Sequence, residues 1–194
     1  MNTLFPIFIK PDQIQILLVG GGPIGLEKFQ AIIQNNDQAQ ITVIATEICC
    51  EFKIILMQYA HIKFEERDFV ESDLDHKHLV MLATNNHELN DQIRALASAR
   101  FILLNAADKP ELCDFYLGSI VKKGNLKIAI STNGKSPTIA KRVKELLQNM
   151  LPEEIDDTLE LMSQLRDQLK GDFQAKVNAL NEHTKSLIER DGDQ

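Results

Sequence analysis

Gly20, Gly22 and Gly25 fall at the spacing G-x-G-x-x-G, directly after the apolar, β-branched run of residues 14–19 and directly before a segment with helical character. Strand, glycines, helix is the order that lets a backbone approach a pyrophosphate. Gly20 allows the tight turn, Gly22 the close approach, and Gly25 lets the helix lie on the strand. Pro23 suits the first helical position, where its missing N–H costs nothing. Free N–H groups and the helix dipole then face any anion over the turn. The pattern predicts a dinucleotide site; a glycine-rich turn that binds nothing is the alternative.

Other candidates lie where strands should end. Glu47 follows the second apolar run, residues 39–45, and either reaches a ribose or caps the next helix. No Arg or Lys occupies residues 42–51, so a 2′-phosphate finds no partner there and NAD is favoured over NADP. Thr84 and Asn85 close a third run and can hydrogen-bond a nucleotide or cap the helix that follows, with Asn86 as the cap residue. Asp108 stands past a further strand, where a carboxylate can take a proton from a bound substrate. A plain turn aspartate before Lys109-Pro110 is the competing reading, and spacing alone favours it. Residues 122–144 hold seven basic and no acidic side chains inside a chain of net charge −7. Ser136 can cap and Pro137 open a helix whose N-terminus is rimmed by Lys135, Lys141 and Arg142, a setting that favours a carboxylate-rich ligand. A solvated helix face is the alternative.

The elements that must position these residues alternate β-α-β-α-β-β-α-β up to Asp108, which reads as an α/β, doubly wound parallel sheet. Residues 115–121 and 126–130 then read as a β-hairpin. Residues 138–150 carry helix periodicity, and Leu159, Met162, Leu165 and Leu169, then Val177, Leu180, Leu187 and Ile188, suggest two amphipathic helices broken near Gly171, packed on a core or a second subunit. Residues 4–9 are an apolar entry segment, either an edge strand or a cover for the first helix. The expected division is 1–112, 113–150 and 151–194.

With 194 residues, 44% hydrophobic and 25% charged, the composition is that of a globular protein. No apolar run is long enough to span a bilayer, and residues 1–10 lack a signal-peptide pattern, so the cytoplasm is the expected location. The negative charge argues against non-specific nucleic-acid binding. Cys49, Cys50 and Cys113 read as reduced, buried thiols, and the five histidines form no metal-ligand cluster, so no metal site is expected. Tyr59 and Lys63 stand at the spacing of a Tyr-x-x-x-Lys dehydrogenase pair, but Lys63 falls at a strand start.

Four blocks, in order, carry a family likeness: residues 4–8; 19–28 (Val-Gly-Gly-Gly-Pro-Ile-Gly-Leu-Glu-Lys); 105–108 (Asn-Ala-Ala-Asp); and 128–142, with Ser131-Thr132-Asn133-Gly134-Lys135-Ser136-Pro137 at their centre. Over residues 4–152 the chain resembles the precorrin-2 dehydrogenase family, the NAD-dependent module of siroheme synthases. The resemblance implies a Rossmann-type domain, a dimerisation segment and a small helical C-terminal domain. It implies NAD-dependent oxidation of precorrin-2, a carboxylate-rich tetrapyrrole, by a homodimer. Asp108 becomes the catalytic residue, against the spacing argument. Nucleotide contacts fall on Gly22, Pro23, Ile24, Thr46, Glu47 and Thr84, and substrate contacts on Asn105, Thr132, Lys135, Ser136, Lys141 and Arg142. The sequence departs from the family at Gly25, often Ala, at Leu26–Glu27, where an Arg is usual nearby, and at Asn133, often Gly. Two alternatives stay open: a bifunctional dehydrogenase and sirohydrochlorin chelatase, or a non-catalytic NAD-sensing domain.

Overall fold

A computed structural model describes residues 4–168 and 177–178. Its centre is β1 (Gln15–Gly21), in which every residue after Gln15 is buried. A strand apolar on both faces needs cover on both faces, the condition of a parallel sheet. α1 (Pro23–Ile33), β2 (Gln40–Ile48), α2 (Cys50–Leu56), β3 (Lys63–Glu66), β4 (Leu79–Leu82), α3 (His87–Ala99) and β5 (Leu103–Ala106) supply it. The five strands are parallel in the order β3-β2-β1-β4-β5. Side chains alternate between two cores. Ile16, Leu18 and Met81 meet Leu26, Phe29 and Phe52 on one face, where the two phenyl rings tilt together at 5.3 Å. Leu17, Val19 and Leu104 meet Ile93 and Ala97 of α3 on the other. The chain leaves β1 toward β2 and later returns to β1's opposite side as β4. That reversal puts a crevice at the carboxyl ends of β1 and β4, where open α/β sheets bind ligands.

The chain divides into two units, Met1–Leu117 and Gly118–Gln194. The first keeps residues 113–117, later than the boundary expected after 112, because they are bonded back to β5. Asp114 N–H donates to Leu104 O at 2.7 Å, Leu104 N–H donates to Asp114 Oδ2 at 2.9 Å, and Asn105 Nδ2 donates to Phe115 O at 2.8 Å. Arg94 pairs with the Asp114 carboxylate, and that guanidinium, with the Leu104 N–H, holds the carboxyl below its usual range.

In the second unit β6 (Ser119–Lys123) and β7 (Leu126–Ile130) form an antiparallel hairpin on a two-residue loop, with Gly124 at φ +52°. α4 (Pro137–Met150) packs on β6 through Ala140, and Val121 is buried. α5 (Ile155–Gln168) buries no residue. Polar bonds tether the chain at its start. Asp156 Oδ1 accepts from Asn125 N–H at 2.6 Å and Asn125 Nδ2 at 3.0 Å, and Lys123 Nζ donates to Leu151 O at 2.6 Å and Glu153 Oε1 at 2.7 Å.

The α/β alternation, the hairpin and α4 stand where the sequence places them. Five details differ. Residues 4–9 form no strand, and Phe5, Ile7, Phe8 and Ile9 are exposed. β2 runs on through Thr46, Glu47 and Ile48 because Gly21 pairs with Ile48 across a register shift. Cys50 is exposed, at the start of α2, while Cys49 and Cys113 are half-buried thiols. The α5 stripe is not core: Leu159 is exposed and Met162 and Leu165 are half-buried, and the second tail helix falls almost wholly outside the described residues. β5 begins two residues later than its apolar run, because Phe101 ends α3 instead. Phe101 N–H donates to Ser98 O and Ile102 N–H to Ala97 O, a Schellman motif with Phe101 at φ +57° and 95% exposed.

A phenylalanine in the left-handed region is strained and here buries nothing in return. Phe101→Gly is expected to stabilise the chain by about 1 kcal/mol, read as a higher urea midpoint at unchanged slope.

Candidate functional site

The crevice between β1 and β4 is built from backbone packed on backbone. Gly20 lies at φ +126°, and a Cβ there would stand 2.3 Å from Ala83 O, just past β4. Only glycine satisfies both the torsion and the contact. At Gly25 a Cβ would meet Gly20 O at 2.2 Å, so the same crowding holds this position to glycine. Gly22 is the opposite case. It is the N-cap of α1 in extended conformation, and a Cβ would meet nothing within 4 Å. Its missing side chain leaves open space directly over the helix end. Pro23 takes the first helical position and no acidic residue stands in the first turn, so nothing competes with an anion there. Pro23 and Ile24 are exposed beside it. These residues fit a dinucleotide pyrophosphate.

Thr46 and Glu47 are exposed at the carboxyl end of β2. α2 starts later, with Cys49 as N-cap and Glu51 as its first-turn acid, so Glu47 does not cap it. Glu66, which the sequence did not single out, braces this end: Oε1 accepts from Ile48 N–H at 2.9 Å while Oε2 pairs with Lys53 at 2.7 Å. Past β4, Thr84 Oγ1 accepts from Asn86 N–H at 3.0 Å and Asn86 Oδ1 caps α3 by accepting from Leu89 N–H at 3.1 Å. Asn85 is exposed, and Thr84 keeps its hydroxyl proton for a ligand.

Asp108 is presented by a pinned turn. Ala107 N–H donates to Leu82 O at 3.0 Å on one side of it. Cys113 holds both sides: its Sγ accepts from Ala106 N–H at 3.2 Å and lies 3.3 Å from Ala106 O and Lys109 O. Asp108 itself sits at φ +56°, a conformation aspartate tolerates better than most residues. It is exposed, and among the described residues no hydrogen bond or ion pair engages its carboxylate. Asn105 is different from its expected role. It is 5% exposed, and both ends of its amide are engaged inside the fold: Nδ2 with Phe115 O, and Oδ1 as acceptor from Lys28 Nζ at 2.7 Å. Lys28 was visible in sequence only as the last residue of the glycine block. Burial pushes its ammonium below the ordinary lysine range, against the pull of Cys113, Glu27 and Asp108.

In the second unit, Thr132, Lys135, Ser136, Lys141 and Arg142 surround the start of α4. Two of these hydroxyls are structural. Thr132 Oγ1 donates to Ser136 O at 3.1 Å and accepts from Ser136 N–H at 3.2 Å, closing the loop. Ser136 Oγ accepts from Ile139 N–H at 3.2 Å as the helix cap. Asn133 takes φ +54° with Gly134 at +73°, so asparagine meets the turn's demand. Lys135 and Lys141 are exposed, and Arg142 pairs with Glu145 at 2.9 Å. Pro137, Thr138, Lys141 and Arg142 line a shallow open cleft.

Comparison with known proteins agrees with this geometry. A family model described as putative NAD(P)-binding matches residues 7–119, and one described as sirohaem biosynthesis protein, central, matches residues 123–150. The siroheme synthase of Vesicomyosocius okutanii is 38% identical over 173 residues, 89% of this chain and 36% of that protein. That of Psychrobacter arcticus is 33% identical over 180 residues, 93% of this chain and 31% of that protein. The chain thus spans about a third of the length of these relatives. Its fold is similar to that of a solved structure titled SirC, precorrin-2 dehydrogenase, with a TM-score of 0.75 over 96% of this chain and 90% of that one, at 23% identity.

Because the Gly22 site has room for a methyl group and a φ of −84°, Gly22→Ala is expected to fold with an unchanged melting temperature. Its NAD affinity should fall at least about tenfold as the methyl enters the pyrophosphate space, measured by titration calorimetry. Gly20→Ala, in contrast, should lose stability first.

Proposed function

We propose a function from the premise that this chain belongs to the putative NAD(P)-binding family: it is the dehydrogenase module of siroheme synthesis, oxidising precorrin-2 to sirohydrochlorin with NAD. One observation carries the reading. The helix that begins at the open Gly22 turn reaches, through Lys28, the Asn105 amide three residues before Asp108. A dinucleotide cradle and an unengaged carboxylate are therefore braced against each other at one end of one sheet. The siroheme synthases and the precorrin-2 dehydrogenase to which the chain is similar point to the substrate.

In this reading Gly22, Pro23 and Ile24 hold the pyrophosphate, Glu47 and Thr46 the ribose beside them, and Thr84 and Asn85 the nucleotide's other side. NAD, when bound, supplies the hydride acceptor. The macrocycle gives up two hydrogens, one as hydride and one as a proton that the Asp108 carboxylate accepts. Asn105 acts by holding the Asp108 turn, not by touching substrate. Lys135 and Lys141, with Arg142, place positive charge at the α4 N-terminus for the carboxylates of the tetrapyrrole. Catalysis is then mostly positioning.

A homodimer and a cytoplasmic location belong to the same proposal. The hairpin has only two strands with α4 packed on it, and α4 exposes Ile139, Leu146 and Met150 on one face. A second copy would cover that face. No helix among the described residues is long and apolar enough to cross a membrane.

Asp108→Asn keeps the turn conformation, since asparagine also tolerates the left-handed region. It is expected to bind NAD as wild type does while anaerobic NADH formation from precorrin-2 falls at least about 100-fold. A wild-type chain that binds NAD and yields no NADH would sink the dehydrogenase reading in favour of a sensing domain.

A further inference from the structure

We propose that Lys28 is a positioning residue of the reaction centre, gripping Asn105 from α1 and so fixing where the Asp108 turn presents its carboxylate. The inference rests on the dehydrogenase reading for its kinetic half and on geometry alone for its structural half.

Asn105 is one of two buried polar residues among those described, and its Oδ1 is satisfied by Lys28 Nζ at 2.7 Å. Met81 lies beside it in register on β4, and Cys113 Sγ stands 3.6 Å from its Nδ2. The neighbouring helix α3 does not supply this partner, because it covers the opposite face of the sheet. The donor comes instead from α1, across the face that Leu26 and Phe29 bury. A neutral hydroxyl or a water would satisfy an amide oxygen as well, without the cost of drawing an ammonium partly out of water. The charge therefore has further use. The anionic and polar groups around it are the Asn105 amide and Asp108 from the β5 end, the Cys113 thiol from the segment that follows, and Glu27 from its own helix. Arg94, on the opposite face, is engaged elsewhere in its pair with Asp114. Lys28 is thus the cation that joins the helix of the glycine turn to the strand end that carries Asp108. Hydride transfer needs donor and acceptor held at a fixed separation, and this bond sets the relation of their two supports.

The test uses the whole chain as wild type, Lys28→Met and Lys28→Arg. Methionine keeps the buried stem and removes the donor and charge; arginine keeps both. Three quantities are read: kcat for NADH formation from precorrin-2, Kd for NAD, and amide hydrogen exchange over residues 105–113 in the free protein. The expected result is a kcat lower by about 10- to 100-fold in Lys28→Met, with Kd for NAD within about twofold of wild type. Exchange at Ala106 and Ala107 should be several-fold faster, and Lys28→Arg should recover most of both losses. A Lys28→Met kcat within about twofold of wild type overturns the proposal, as does unchanged exchange. Loss of NAD binding in step with kcat also overturns it, since that marks a general packing role. If wild type makes no NADH, the dehydrogenase reading falls by itself, and the exchange comparison still decides whether Lys28 holds the turn.

Discussion

Backbone meets backbone without an intervening side chain where β1 ends, and the rest of the nucleotide-binding unit follows from that approach. Gly20 has to pass under the Ala83 carbonyl and under the start of α1 at the same time, leaving no room for a Cβ. The contact brings the end of β4 against the turn after β1, which places the switch in strand order beside the open helix end. It also fixes the axis of α1. Five residues beyond Pro23, that axis delivers Lys28 to Asn105. A tight turn of three glycines is thereby converted into the placement of a carboxylate two strands away.

The second site region is built on a different principle. Around α4 the small polar side chains are consumed in holding their own loop: Thr132 closes it and Ser136 caps the helix. What they present outward is the helix end and the ammonium groups of Lys135 and Lys141, long and exposed. The contrast is physical. A compact pyrophosphate would be held by rigid N–H groups at short range, whereas the carboxylate-rich ligand proposed for α4 would be served by long, exposed ammonium groups.

Much of this was legible in the residues. The strand, glycine and helix succession, the Asn86 and Ser136 caps and the β-hairpin all depend on short-range chemistry that a sequence displays directly. The role proposed for Asp108 comes only through the ordered likeness to a family, because a turn aspartate before Lys-Pro carries no local mark of chemistry. What escaped depends on contacts distant in the chain. Asn105 reads as a substrate contact through the family likeness alone; its partner lies 77 residues earlier, on another element. Phe101 reads as strand because its neighbours are apolar, yet a Schellman closure claims it for the helix before. Thr46 and Glu47 follow the apolar run of residues 39–45 in the sequence, whereas pairing of Gly21 with Ile48 carries the strand past them.

The tether at the start of α5 has its own consequence. The helix fully buries no residue, Met162 and Leu165 being half-covered, and the bonds at its entrance run from Asn125 to Asp156 and from Lys123 to Leu151 O and Glu153. Its attachment is polar and partly ionic where that of α1 and α3 is apolar. Added salt weakens exposed charge pairs, worth roughly 0–1 kcal/mol each, over a screening length of about 10 Å at 0.1 M, and leaves apolar burial intact. The start of α5 is therefore more sensitive to ionic strength than the packing of α1 and α3.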